Sequence, residues 1–182
     1  MKRLRPWLWL SIALCVGFLS WLYWPRTGIL RWPPVPVRLK LTRPHGMAPQ
    51  AFKAFVKACY RAKIHPWRIG QTIGDHPLSV GYHKKDGVVQ WKGNSFDYTT
   101  AVDVGTSDLN DYQIKVFLEA LAQQGFAAFY RHEGKWKGRE HIHAIYVLLP
   151  MKKQLRRQVR QFLRERRVAR KKPPPWARQW KH

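Results

Sequence analysis

Three short stretches of the chain concentrate the residue types that hold metals and move protons: Ser79-Val80-Gly81-Tyr82-His83, Asp97-Tyr98-Thr99-Thr100-Ala101-Val102-Asp103 and Glu140-His141-Ile142-His143-Ala144. Each alone says little. A single His is more often a surface or satisfied core residue than a ligand, and an Asp at a strand end is often a cap or turn former. Asp103 is more informative, because it interrupts the apolar run Ala101-Val102-Asp103-Val104. An unpaired carboxylate there costs heavily in desolvation unless a cation meets it. A metal ion is one such cation, and an arginine is the ordinary alternative. His141 and His143 stand two apart on a strand-like segment, so both rings project from one face, as two ligands or as a ligand and a catalyst. Two imidazoles and a carboxylate leave a tetrahedral zinc with one open position, the arrangement of a hydrolytic metal. Glu140, just before that strand, can take a proton from a bound water.

The elements that must position these residues follow from periodicity. Pro49 opens a helix to Ala62 with Phe52, Phe55, Val56 and Cys59 on one face. A second helix is capped by Ser107 or Asp108, carries Ile114, Phe117, Leu118 and Leu121 on one face, and ends at Gly125. Val80 to His83, Tyr98 to Val104, Ala127 to Tyr130 and His143 to Leu149 are short apolar stretches bounded by Gly, Asp or Lys, and read as strands. The fold class expected is α+β, a small, mainly antiparallel sheet with flanking helices, preceded by an N-terminal transmembrane helix.

That last element comes from the first 24 residues. Met-Lys-Arg-Leu-Arg is followed by Trp7 to Trp24 without a charge, close to the length that spans a bilayer, with Trp and Tyr towards both ends. No small-x-small pair follows Ser20, so the segment reads as an uncleaved signal anchor. The organisation expected is a basic cytoplasmic tail (1–6), the anchor (7–24), a Pro- and Arg-rich tether (25–45), the site-bearing domain (46–150), and a basic amphipathic helix with a tail (151–182). Only Cys15 and Cys59 are present, which excludes a disulfide framework within the domain and a thiolate metal site. The formal charge of +24, from 34 Lys and Arg against 10 Asp and Glu, favours an anionic partner: lipid, wall polymer or nucleic acid. Thirteen of the basic residues, against Glu165 alone, lie beyond Leu149.

The stretch from Ser79 to Leu149 resembles the LAS zinc peptidases, the family of D-Ala-D-Ala carboxypeptidases, L-Ala-D-Glu endopeptidases, lysostaphin and the hedgehog signalling domain. Glu140-His141-Ile142-His143 fits both the Glu-x-x-His and the His-x-His of that family, and Ala101-x-Asp103 fits its Ala-x-Asp. The resemblance implies His143 and Asp103 as zinc ligands, Glu140 as base, His141 as a catalytic neighbour and peptidoglycan peptides as substrate. One departure stands out. The family's first His precedes the Asp by seven residues, where this chain has Phe96. Ser79-x-Gly81-x-His83 resembles the Ser-x-His half of that motif, with Lys84 to Ser95 inserted as a hairpin, so His83 is the expected first ligand and Asp97 the fallback. Arg131 and Arg68 are candidates for holding a substrate carboxylate.

The function expected is a zinc-dependent carboxypeptidase or endopeptidase cleaving peptidoglycan stem peptides, anchored by a single pass in the cytoplasmic membrane with its domain outside. Peptidoglycan peptides, and an anionic membrane or wall polymer at the basic tail, are the expected partners, ahead of nucleic acid. The alternative is a non-catalytic, membrane-tethered module that binds acidic polymer or nucleic acid through that tail. Glu140 separates the two, since a structural metal has no use for a base.

Overall fold

The computed structural model describes residues 44–74 and 81–180, all within one unit spanning residues 38–182. The expected anchor, basic tail and most of the tether lie outside the described residues. Among the described residues, no helix is long and apolar enough to cross a membrane.

Helix α1, Pro49–Ala62, starts on a proline and buries Ala51, Phe55, Ala58, Cys59 and Ala62 along one stripe. It ends where Lys63 adopts a left-handed conformation and donates its N–H to the carbonyls of Cys59 and Tyr60. Strand β1, Ile69–Gln71, follows a short 3-10 turn. Strands β2, Gly87–Trp91, and β3, Asn94–Tyr98, form a separate hairpin. Lys92 and Gly93 both have positive φ at its tip, the geometry of a tight primed turn. Strand β4 is Ala101–Gly105. Helix α2 is Asp111–Gln123, β5 is Phe126–Arg131, β6 is His141–Tyr146, and helix α3 is Lys153–Val168.

The main sheet has the order β1-β4-β6-β5, and every pairing in it is antiparallel. Period two sorts its residues onto two faces. Val102, Val104, Ile142, Ala144, Phe126 and Ala128 pack with Phe55 of α1 and Phe117 and Leu121 of α2. Phe55 meets Phe117 and Phe126 edge-on, with centroids 6.1 and 6.4 Å apart. The other face turns Ala101, Ile145, Ala127 and Phe129 towards Leu155, Val159 and Phe162 of α3. Asp103, His141, His143 and Arg131 occupy the remainder of that second face, because they share its parity.

Several expected elements are corrected by this arrangement. His83 lies on a turn at 81–83 rather than a strand, and Val80 lies outside the described residues. The stretch 98–104 is two strands, because Thr99 and Thr100 bend the chain between β3 and β4. Strand β6 begins two residues earlier than expected, at His141, and Val147 to Leu149 turn away from it. Helix α2 is capped by Asn110 rather than Ser107 or Asp108. Asn110 and Gln113 form a reciprocal capping box, while Leu109 closes a turn onto the carbonyl of Thr106 and Asp108 is taken by Arg68.

The basic C-terminal segment is built into the core. Trp176 is buried, stacks on Phe162 at 5.9 Å and donates its indole N–H to the carbonyl of Ala122 at 2.8 Å. Arg166, buried beside it, pairs with Glu119 of α2 at 2.9 Å. Trp176→Ala is therefore expected to destabilise the protein by about 3–5 kcal/mol. Tyr112→Ala, at an exposed site, should change stability by less than about 0.5 kcal/mol, and denaturant unfolding of the two variants measures the contrast.

Candidate metal centre

Register brings the site together. Asp103 of β4 sits directly opposite His143 of β6, and one step along the sheet Gly105, His141 and Arg131 align across β4, β6 and β5. Glycine at 105 leaves the space beside His141 without a side chain from β4. His83 reaches the same place from the turn after β1, its ring 5.4 Å from that of His143 and nearly perpendicular to it.

The contacts centre on the Asp103 carboxylate. His143 Nδ1 lies 2.7 Å from Oδ1, His83 Nε2 3.1 Å from Oδ2, and His141 Nε2 3.9 Å from Oδ2. The far sides of the rings are held as well: His83 Nδ1 by the carbonyl of Thr72 at 2.8 Å, His141 Nδ1 by the carbonyl of Arg139 at 2.8 Å, and His143 Nε2 by Gln158 Oε1 at 3.1 Å. The side chains of His83 and His143 are 1% and 0% exposed, and that of Asp103 is 18% exposed. His83, Asp103 and His143 each offer a ligand atom within 4.8 Å of the others, so the group could hold a metal ion.

The electrostatics fit a carboxylate kept ionised under cover. Burial pushes the Asp103 carboxyl up, but the hydrogen bond from His143 and the nearness of His83 outweigh it and hold the group well below the usual carboxylate range. Burial pulls His143 down from the ordinary histidine value, against the opposing pull of Asp103. Burial also lowers Arg131, partly offset by Asp103. That guanidinium lies between the rings of Trp136 and Tyr82, 5.2 and 5.9 Å from their centroids, with no carboxylate bonded to it among the described residues.

The other expected site residues are placed differently. Glu140 is exposed and accepts the N–H of Gly138 at 2.7 Å, which is the main reason its carboxyl lies below the ordinary value. Its backbone carbonyl accepts the Thr106 hydroxyl at 3.0 Å. Asp97 lies on the β2–β3 hairpin, paired with Lys85 at 2.7 Å. Arg68 is committed to a bidentate pair with Asp108.

Three supporting residues escaped the sequence reading. Gln158 stands three residues after Leu155 and four before Phe162, so its place on the apolar face of α3 was a readable signal of an inward polar group. Asp86, its side chain fully buried, accepts from the Thr100 N–H and hydroxyl and from the Lys152 N–H, all within 2.9 Å. Lys152 Nζ in turn binds the carbonyls of Tyr82 and Lys84, bracing the His83 turn against the start of α3.

Comparison of the chain with family models, with curated proteins and with solved structures gives no match.

The lowered His143 and Asp103 set the direction of acid sensitivity. Below about pH 6.5 the unfolded His143 takes up a proton that the folded one resists, and below about pH 4 the unfolded Asp103 does the same. The metal-free protein is therefore expected to lose stability in two steps as pH falls, with none gained on acidification. Asp103→Asn should shrink the lower step, to which the lowered carboxyls of Asp108 and Glu119 also contribute, as read by thermal unfolding across pH 3 to 8.

Proposed function

We propose that the chain is a zinc-dependent peptidase acting on peptidoglycan stem peptides. The observation that carries the reading is the convergence of His83, Asp103 and His143, with both imidazoles buried and the carboxylate partly exposed. Imidazole and carboxylate donors with no thiolate suit zinc. When bound, zinc supplies a water of lowered pKa and polarises a carbonyl.

The chain's own residues account for the remainder. Thr72 and Gln158 fix the rings of His83 and His143 from behind, the outer support that metal-binding histidines need. Arg131 borders a cleft of about 350 Å³ shared with His132, Glu133, Trp136, Gln158 and Gln161, and its guanidinium, without a carboxylate partner among the described residues, fits the terminal carboxylate of a short peptide. Glu140 is solvent-facing and its carboxyl lies below the ordinary value, and it would serve as the base once its carboxylate leaves the Gly138 N–H. The purified protein should contain one zinc per chain and release amines from stem peptides. Glu140→Gln should keep the metal and lower hydrolysis by about 10² to 10⁴. A zinc-loaded wild type that cleaves no stem peptide would overturn the reading.

A second reading, binding of an acidic polymer or anionic lipid, is favoured by one feature. A groove of about 810 Å³ beside the end of α3 is lined by Arg160, Arg164, Arg167, Arg170, Lys171 and Lys172, and none of these six has an acidic partner among the described residues. The neighbouring Arg166, by contrast, is neutralised by Glu119. Binding to vesicles of anionic phospholipid should fall steeply with salt, because exposed charges are screened beyond about 8 Å at physiological ionic strength. Arg164→Glu with Arg167→Glu should abolish that binding and leave hydrolysis of a small soluble peptide unchanged.

A further inference from the structure

Three imidazoles surround the Asp103 carboxylate, and the far nitrogen of each rests on an oxygen. For His83 and His141 that oxygen is a backbone carbonyl, of Thr72 and Arg139 respectively. A carbonyl only accepts, so Nδ1 of both rings carries the proton and Nε2 of the neutral ring is a bare lone pair. Both Nε2 atoms are buried and lack a hydrogen-bond partner among the described residues. Both stand near the same carboxylate oxygen, at 3.1 and 3.9 Å. With both rings neutral, lone pair faces lone pair on both sides of Oδ2, a costly arrangement that either a proton between them or a metal cation relieves.

The position of His141 is not accidental. Its ring packs edge-on against Trp136, with centroids 4.8 Å apart at 84°, and its Nδ1 is tied to the Arg139 carbonyl just before the strand that carries it. Packing and hydrogen bond together turn Nε2 inward. Holding the tautomer with an acceptor on the far nitrogen is the way metal-ligating histidines are oriented.

We propose that His141 is itself a metal ligand, the fourth side chain of the centre formed by His83, Asp103 and His143, rather than a catalyst standing beside it. The inference rests on the metal-centre reading above. Two donors on one tetrahedral zinc stand about 3.3 Å apart, given bonds of roughly 2.0–2.1 Å. His141 Nε2, at 3.9 Å from Oδ2, closes that gap with a small rotation of its ring. Three imidazoles and one carboxylate would then hold the ion, and hydrolysis would require the coordination to expand to five to admit a water.

The test is zinc titration of the full-length wild type, His83→Ala, His141→Ala and Glu140→Gln, paired with ¹⁵N spectra of the histidine rings. His141→Ala is expected to weaken zinc binding by more than the roughly 10–100-fold that loss of an outer-shell partner costs, and Glu140→Gln to leave it unchanged. In the zinc-loaded wild type, the His141 Nε2 resonance should move from the bare-nitrogen to the metal-bound position, a readout that stands even if the alanine variant misfolds. Zinc affinity retained in His141→Ala but lost in His83→Ala, or a His141 Nε2 that stays unligated in the loaded protein, overturns this inference alone. A wild type that binds no zinc overturns the metal centre and this inference together.

Discussion

The buried carboxylate of Asp103 is the constraint around which the rest of the second sheet face is arranged. It sits on β4, an interior strand with neighbours on both sides, so neither strand edge nor solvent can satisfy it fully. An ionised carboxylate in such a place needs donors or a cation of its own. The chain provides these from far apart in sequence: His83 from a turn twenty residues upstream, and His143 from a strand forty residues downstream. Each of those residues needs its own support, which is why Thr72 and Gln158 are drawn in. The centre is thus assembled only when β1, β4, β6 and α3 are all in place.

Much of this was legible in the sequence, and for identifiable reasons. An Asp inside Ala-Val-x-Val and a His-x-His at strand spacing are patterns whose parity alone puts them on one face. The helix stripe of Phe52, Phe55, Val56 and Cys59 was readable because period 3.6 survives without tertiary context. What the sequence hid were features decided by competition between neighbours. Asn110 caps α2 because Asp108 is drawn away to Arg68, a contact across forty residues that no local window contains. The strand expected through residues 98–104 breaks because Asp86 gathers Thr99 and Thr100 around its carboxylate. Charge density beyond Leu149 masked a core element, since Leu155, Val159, Phe162 and Trp176 are few among many Arg and Lys. Long basic side chains reach solvent while the helix that bears them packs.

The two sheet faces divide labour. The face against α1 and α2 is apolar from end to end. The face under α3 is apolar where Ala101, Ile145 and Ala127 lie and polar where Asp103, His143 and His141 lie. A helix that covered the whole face would have sealed the site, and one that covered none would have left the carboxylate in water. Gln158, on the flank of the apolar stripe of Leu155, Val159 and Phe162, turns its amide to His143, so one residue of helix α3 joins the core to the centre.

The brace formed by Lys152 has a consequence for how an ion would arrive and leave. Lys152 and Asp86 tie the His83 turn to the start of α3, the same helix that supplies Gln158. The supports of His83 and His143 are thereby joined to one another as well as to the carboxylate between them. Among the described residues, Asp103 and His141 are the donors of the centre that reach solvent, with side chains 18% and 14% exposed. An ion arriving from that side would exchange its hydration shell for carboxylate first and imidazole afterwards.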